Sequence, residues 1–158
     1  MVRILFVCHG NVCRSPMAKF IMEHLVRSCG LEKCVMISSG ALSYEAVGNP
    51  MYHAAQAVLR ENGIPIAHHS SKKIRRSSYS EFEYIIGMDE ENRRALNRLF
   101  RKDPCGKIHL LLDFSPEPRP VADPWYTKDF GRAYEDIYTG CGYLLDHIKN
   151  EINWGTGG

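Results

Sequence analysis

The sequence predicts an α/β fold in three layers, a four-stranded, twisted parallel sheet with helices on both faces. Three observations carry this. Short apolar runs alternate along the chain with stretches whose apolar residues recur every three or four positions, the alternation of strand and helix. The first run, Val2–Val7, is apolar apart from one Arg, as a strand covered on both faces must be. The 158 residues, 44% apolar and 24% charged, suffice for one core but not two. The domain is accordingly expected to span 1–153, with a flexible Gly-rich tail over 154–158.

The elements follow in order. The first strand stops at Cys8-His9-Gly10-Asn11, and Ser15-Pro16 starts a helix with Ser as N-cap and Pro at the first position. Met17, Ile21 and Leu25 form its buried stripe, and Gly30 ends it. Val35–Ser39 is a second strand. Asn49-Pro50 repeats the cap-and-proline signal for a helix over Met51–Asn62, stopped by Gly63. Tyr84–Met88 is a third strand, and Asp89 caps a helix over Glu90–Phe100. Ile108–Leu112 is a fourth strand, followed by a loop holding Pro116, Pro118, Pro120 and Pro124. Last, Phe130, Tyr134, Ile137, Cys141, Leu144 and Ile148 trace one face of a long helix, despite Gly131, Gly140 and Gly142.

Lys plus Arg total 20 and Asp plus Glu 18, a net charge of +2, which argues against a coat for nucleic acid or an acidic membrane. The longest apolar runs fall far short of the ~20 residues of a spanning helix, and the N-terminus lacks a signal peptide's apolar region. The expectation is a cytoplasmic protein without membrane insertion, its six cysteines thiols rather than disulfides.

Ligands of parallel sheets bind at the carboxyl ends of the strands, which points to Cys8. From there, Cys8-His9-Gly10-Asn11-Val12-Cys13-Arg14-Ser15-Pro16 reads as a strand–loop–helix turn. The helix N-terminus offers unsatisfied N–H groups and about half a positive charge. Gly10 and Asn11 are the residue types that best tolerate positive φ, which turns successive N–H groups into an anion nest. Arg14 adds a planar fork matched to two phosphate oxygens. The same groups favour thiolate over thiol at Cys8, and Ser15 is placed to donate to the sulfur. The object is an oxyanion cradle with a nucleophile at its base.

This loop, close to the N-terminus, resembles that of the low-molecular-weight protein tyrosine phosphatases, whose pattern is Cys, five residues, Arg, Ser-Pro. Asp123-Pro124-Trp125-Tyr126, Ser39-Gly40 and Met88-Asp89-Glu90 match further family marks, as do chain length and element order. The resemblance implies the flavodoxin-like phosphotyrosine phosphatase I architecture. It implies hydrolysis of protein phosphotyrosine and small aryl phosphates, with inorganic phosphate as product and no cofactor. Cys8 would form a cysteinyl-phosphate, and Arg14 with the N–H groups of residues 9–15 would hold the phosphoryl oxygens. Asp123 would serve as general acid and then general base. No metal is required, because the cradle and Arg14 supply the positive charge. His9, Tyr44, Trp125 and Tyr126 match positions flanking the phosphoryl group; Asn11, Ser39 and His68 match positions that brace the loop. The family loop also makes Cys13 a resolving thiol for an oxidised Cys8. A phosphotyrosine protein or peptide is the implied partner, and the resemblance admits a bacterial tyrosine kinase as substrate.

Other readings stand beside these. Cys8 alone would read as a small buried residue, and Asp123 alone as a turn former before Pro. Cys8, His9, Cys13, His68 and His69 lack the spacing of a structural zinc site. Lys72, Lys73, Arg75 and Arg76 read first as a solvated loop, with contact to an acidic peptide as the alternative. Within the resemblance, a protein-arginine phosphatase is the near rival; that branch carries Thr where this chain has Val12. A thiol-dependent arsenate reductase would need a relay of redox cysteines that Cys29, Cys34, Cys105 and Cys141 do not evidently form. An inactive phosphate-binding module would be expected to have lost Cys8 or Asp123, and neither is replaced.

Overall fold

The computed structural model describes the backbone of residues 1–157 and the side chains of residues 1–152. Strands β1 (Val2–Cys8), β2 (Val35–Ala41), β3 (Tyr84–Gly87) and β4 (Ile108–Leu110) form one sheet in the order β2-β1-β3-β4, every pair parallel. Helices α1 (Arg14–Ser28), α2 (His53–Glu61), α3 (Ser78–Glu81), α4 (Glu90–Leu99), α5 (Pro124–Thr127) and α6 (Phe130–Gly157) surround it, with a 3-10 turn at Leu111–Phe114.

The near-continuous apolarity of β1 has a direct cause. Ile4 and Phe6 point into one core with α1, α2 and α6, while Leu5 and Val7 point into a second with Ile74, Leu96 and Phe100. The expected α6 stripe packs as read: Ile137, Cys141, Leu144 and Ile148 are fully buried. Gly140, a liability by helix propensity, sits where a Cβ would come within 2.6 Å of Leu111 Cγ, so α6 lies close against the turn after β4.

Several boundaries differ from the sequence reading. Helix α1 starts at Arg14 with Cys13 as N-cap, so Ser15 is not the cap, and Pro16 still falls in the first turn, where no intrahelical N–H is needed. Asn49-Pro50 does not cap α2; Tyr52 precedes its first residue. β2 runs on to Ala41, and β4 ends early because Leu111 and Leu112 join the 3-10 turn. Asp89 caps α4 as expected, accepting from Asn92 N–H at 2.8 Å. The backbone of α6 continues to Gly157, past the expected start of a tail at Trp154. The side chains of 153–158 lie outside the described residues.

The strand order places the site. From β1 the chain moves outward to β2, then returns across to β3 on β1's other side. The crevice where the order reverses opens at the carboxyl ends of β1 and β3. Val121 N–H donates to the Met88 carbonyl at 2.9 Å, drawing the proline-rich loop across that end.

Candidate active site

Cys8 ends β1 buried at 4% exposure, and the chain must turn at once to begin α1 after five intervening residues. Asn11 makes the turn, with φ of 57°. Gly10, expected to share that conformation, does not; the left-handed step falls on Asn11 alone. Asn11 is fully buried, and both ends of its side-chain amide and its carbonyl are hydrogen-bonded. Its Nδ2 donates to Ser15 Oγ at 2.7 Å, its Oδ1 accepts from Lys72 N–H at 3.3 Å, and its carbonyl accepts from His69 Nε2 at 2.7 Å. The Gly10 carbonyl accepts from the Ser71 hydroxyl at 2.8 Å. Each peptide plane carries its C=O and N–H on opposite sides. Holding the Gly10 and Asn11 carbonyls against segment 69–72 therefore leaves the next N–H groups facing the other way, as an anion nest needs.

Ser15 Oγ lies 3.0 Å from Cys8 Sγ. That hydroxyl already accepts from Asn11, so its own hydrogen is free for the sulfur. The Ser15 N–H approaches the same sulfur at 3.4 Å. Cys13 shares the floor of the loop, and burial, then the neighbouring Cys8 charge, pushes its thiol up to about 12.

Arg14 is buried at 2% exposure. Its Nη1 donates to Asp89 Oδ2 at 2.8 Å and to the Val121 carbonyl at 2.7 Å, and its Nη2 lies 3.5 Å from Asp123 Oδ2. The guanidinium thus ties three elements together: the first turn of α1, the turn from β3 into α4, and the proline-rich loop. Asp123 is held from its other side, because its Oδ1 caps α5 by accepting from Trp125 N–H at 3.0 Å. The loop before it is clamped to α6 by a two-pronged pair between Arg119 and Asp136, at 2.8 and 2.9 Å.

A cleft of about 670 Å³ opens over this floor, lined by Cys8, Arg14, Asp123, Trp125, Tyr126 and Tyr52 among others. Tyr52 meets the Trp125 ring edge-on at 5.2 Å and Phe130 at 5.6 Å. His9 at the rim faces Glu45 at 3.1 Å. Among the described residues, no three His, Cys, Asp or Glu side chains gather to hold a metal ion.

The structure brings Cys8, Arg14, Asp123, Asn11 and Ser15 together, with His9, Trp125 and Tyr126 around them. Three expectations need correction. The histidine that reaches the loop is His69, while His68 faces solvent. Its pKa is lowered by burial, and it presents Nε2–H to a carbonyl, the neutral imidazole in its donating role. The bracing hydroxyl is that of Ser71, with Ser39 buried in β2. Tyr44 does not line the cleft; it is 76% exposed beneath the Lys73 ammonium, 5.1 Å from its ring centre. Asp89 and Tyr52 were missed as site residues. Asp89 had a signal as a helix cap, but nothing local shows that its second oxygen takes Arg14.

The sequence profile of the family described as low molecular weight phosphotyrosine protein phosphatase matches residues 3–153. The chain belongs to that family. A Bacillus subtilis relative, low molecular weight protein-tyrosine-phosphatase YfkJ, is 35% identical over 153 residues, covering 96% of this chain and 98% of its own. The crystal structure of YfkJ matches with a TM-score of 0.93 over 96% of both chains. The human low molecular weight phosphotyrosine protein phosphatase is 35% identical over 87% of each chain. A Drosophila arginine phosphatase structure is 30% identical, with a TM-score of 0.84, over 92% of this chain and 97% of its own. As a member of the low-molecular-weight phosphatases the chain is a phosphatase, and its parallel sheet is the flavodoxin-like α/β fold of that family's structures. Among its described residues no helix is long and apolar enough to cross a membrane.

Proposed function

We propose that this phosphatase hydrolyses phosphotyrosine through a cysteinyl-phosphate, with Cys8 as nucleophile, Arg14 and the loop amides as phosphoryl holders, and Asp123 as acid and base. The observation that carries this is the convergence of Cys8 Sγ, the Ser15 hydroxyl, the Arg14 guanidinium and the Asp123 carboxylate at one aromatic-walled cleft. The Cys8 sulfur attacks phosphorus as the P–O bond to the aryl group breaks, and Asp123 passes a proton to the departing oxygen. The cradle and Arg14 meet the charge on the three non-bridging oxygens. Asp123 then takes a proton from water, whose oxygen bonds phosphorus while the P–S bond breaks and phosphate leaves. The Ser15 hydroxyl steadies the released sulfur. The rings of Tyr52, Trp125 and Tyr126 favour a flat phenyl group, and the apolar Val12 in the loop favours the tyrosine over the arginine reading.

Cys13 is the proposed redox partner. Peroxide would convert the Cys8 thiolate to a sulfenic acid, and the Cys13 thiol would displace water to close a disulfide. Oxidation of Cys8 also removes a charge that raises the Cys13 pKa, so the first step eases the second.

The test is hydrolysis of an aryl phosphate, then of phosphotyrosine and phosphoarginine peptides, by wild type, Cys8→Ser and Asp123→Ala. Cys8→Ser should abolish turnover, and Asp123→Ala should lower kcat most for poor leaving groups. Turnover surviving Cys8→Ser would sink the mechanism, and a preference for phosphoarginine would transfer the chain to the other branch.

A further inference from the structure

From Asn62 to Ser80 the chain has no acidic residue, yet it carries Lys72, Lys73, Arg75 and Arg76 within five positions. The rest of the molecule is nearly balanced, since the whole chain has a net charge of only +2. Lys72, Arg75 and Arg76 are exposed, and among the described residues none of these four makes a salt bridge. Four cations kept this close without counter-ions repel one another, and a partner's anions would relieve that repulsion.

The position of this segment says which partner. Lys73 forms an isolated parallel bridge with Ala41, and Ala41 is the register partner of Cys8. Cys8, Ala41 and Lys73 therefore lie in one row across the sheet edge. Two interstrand steps put Lys73 about 10 Å from the nucleophile's backbone. Segment 69–72 is also what holds the phosphate loop, through His69, Ser71 and the Lys72 amide. The basic segment thus braces the back of the phosphate loop and lies two strand spacings from Cys8 at the same end of the sheet. An extended peptide advances about 3.3–3.6 Å per residue, so a residue three to five positions from the phosphotyrosine reaches it. Tyr44, beside the segment under Lys73, gives such a peptide an exposed apolar ring to lie on.

We infer that residues 72–76 form a second anion subsite that selects phosphotyrosine substrates with acidic residues three to five positions from the phosphorylated one. The inference rests on the phosphotyrosine reading above and adds a substrate class to it. An anionic lipid surface would also attract these side chains. The row geometry favours a substrate segment, because it aligns the subsite with the very loop that holds the phosphoryl group.

The test compares kcat/KM for two phosphotyrosine peptides of equal length, one with an Asp/Glu run at those positions and one with Ser/Gln, placed on either side. An aryl phosphate serves as reference. Wild type should favour the acidic peptide about fivefold at low salt, with the advantage fading as salt shortens the Debye length below ~10 Å. Arg75→Ser/Arg76→Ser should remove most of that preference and leave aryl phosphate turnover unchanged, and Arg75→Glu/Arg76→Glu should reverse it. A wild type without preference, or a double variant that keeps it, would overturn the inference. So would binding to phosphatidylserine vesicles that needs Arg75 and Arg76 while the two peptides are cleaved equally. If aryl phosphate is cleaved but neither peptide is, the phosphotyrosine reading itself fails, a result distinct from indifferent cleavage of both.

Discussion

Asp89→Asn separates the two tasks of one carboxylate. Asp89 Oδ1 caps α4 by accepting from Asn92, and Oδ2 takes Arg14 Nη1 at 2.8 Å. An asparagine keeps an acceptor for the cap but loses the charge that faces a guanidinium with only 3% of its side chain exposed. Removing one partner of a fully buried ion pair costs about 3–5 kcal/mol. Here the Val121 carbonyl still accepts from Nη1, Asp123 stays 3.5 Å from Nη2, and the Asp89 side chain is 24% exposed. The loss should therefore approach that of a charge-assisted hydrogen bond, about 1.5–3 kcal/mol. At about 2–4 °C per kcal/mol for a chain of this size, Tm should fall by roughly 3–12 °C. Asp89→Ala loses the cap as well and should cost about 1 kcal/mol more. Urea melts of wild type, Asp89→Asn, Arg14→Met and the double variant give the pair's coupling energy. A coupling below about 0.5 kcal/mol, or identical stability for Asp89→Asn and Asp89→Ala, would refute the division of labour between the two oxygens.

Three other outcomes follow from particular contacts. Gly140→Ala gains about 1 kcal/mol by helix propensity, but its Cβ would meet Leu111 Cγ at 2.6 Å. Overpacking costs about 1–3 kcal/mol, so thermal melts should show a net loss, and a raised Tm would show that Leu111 moves aside freely. With its thiol at about 12, buried Cys13 should resist iodoacetamide at pH 8, while exposed Cys29 and Cys105 react. Peptide mass mapping showing Cys13 labelled as fast as Cys29 would contradict its placement. His69 has a folded pKa below its ordinary 6.5. The unfolded chain therefore takes up that proton first, and stability should fall as pH drops through and below 6.5. His69→Gln should flatten that slope in urea melts from pH 7.5 to 5, and an unchanged slope would assign the acid sensitivity elsewhere.

The legibility of this chain follows the range of the interactions involved. Residues 8–16 declare a phosphate loop because its parts are contiguous: strand end, turn former, guanidinium and helix start must follow one another for the backbone to close around an anion. The stripe from Phe130 to Ile148 is legible for the same reason, since a helix repeats its face every three to four residues and burial selects what lies on it. The bracing of the loop was legible only as a kind of residue. His68 and His69 are adjacent and chemically identical, and an extended segment sends neighbouring side chains to opposite sides. The docking of segment 69–72 on the sheet edge, not any local preference, decides that His69 reaches the loop. Tyr44 shows the same limit: it lies near the cleft in sequence, yet Lys73, which arrives from another loop, holds it on the outer surface. The countercharge of Arg14 comes from 75 residues away. A charge buried at one strand end needs a partner, so the sequence establishes that one must exist; only the parallel pairing of β1 with β3 decides that it is Asp89.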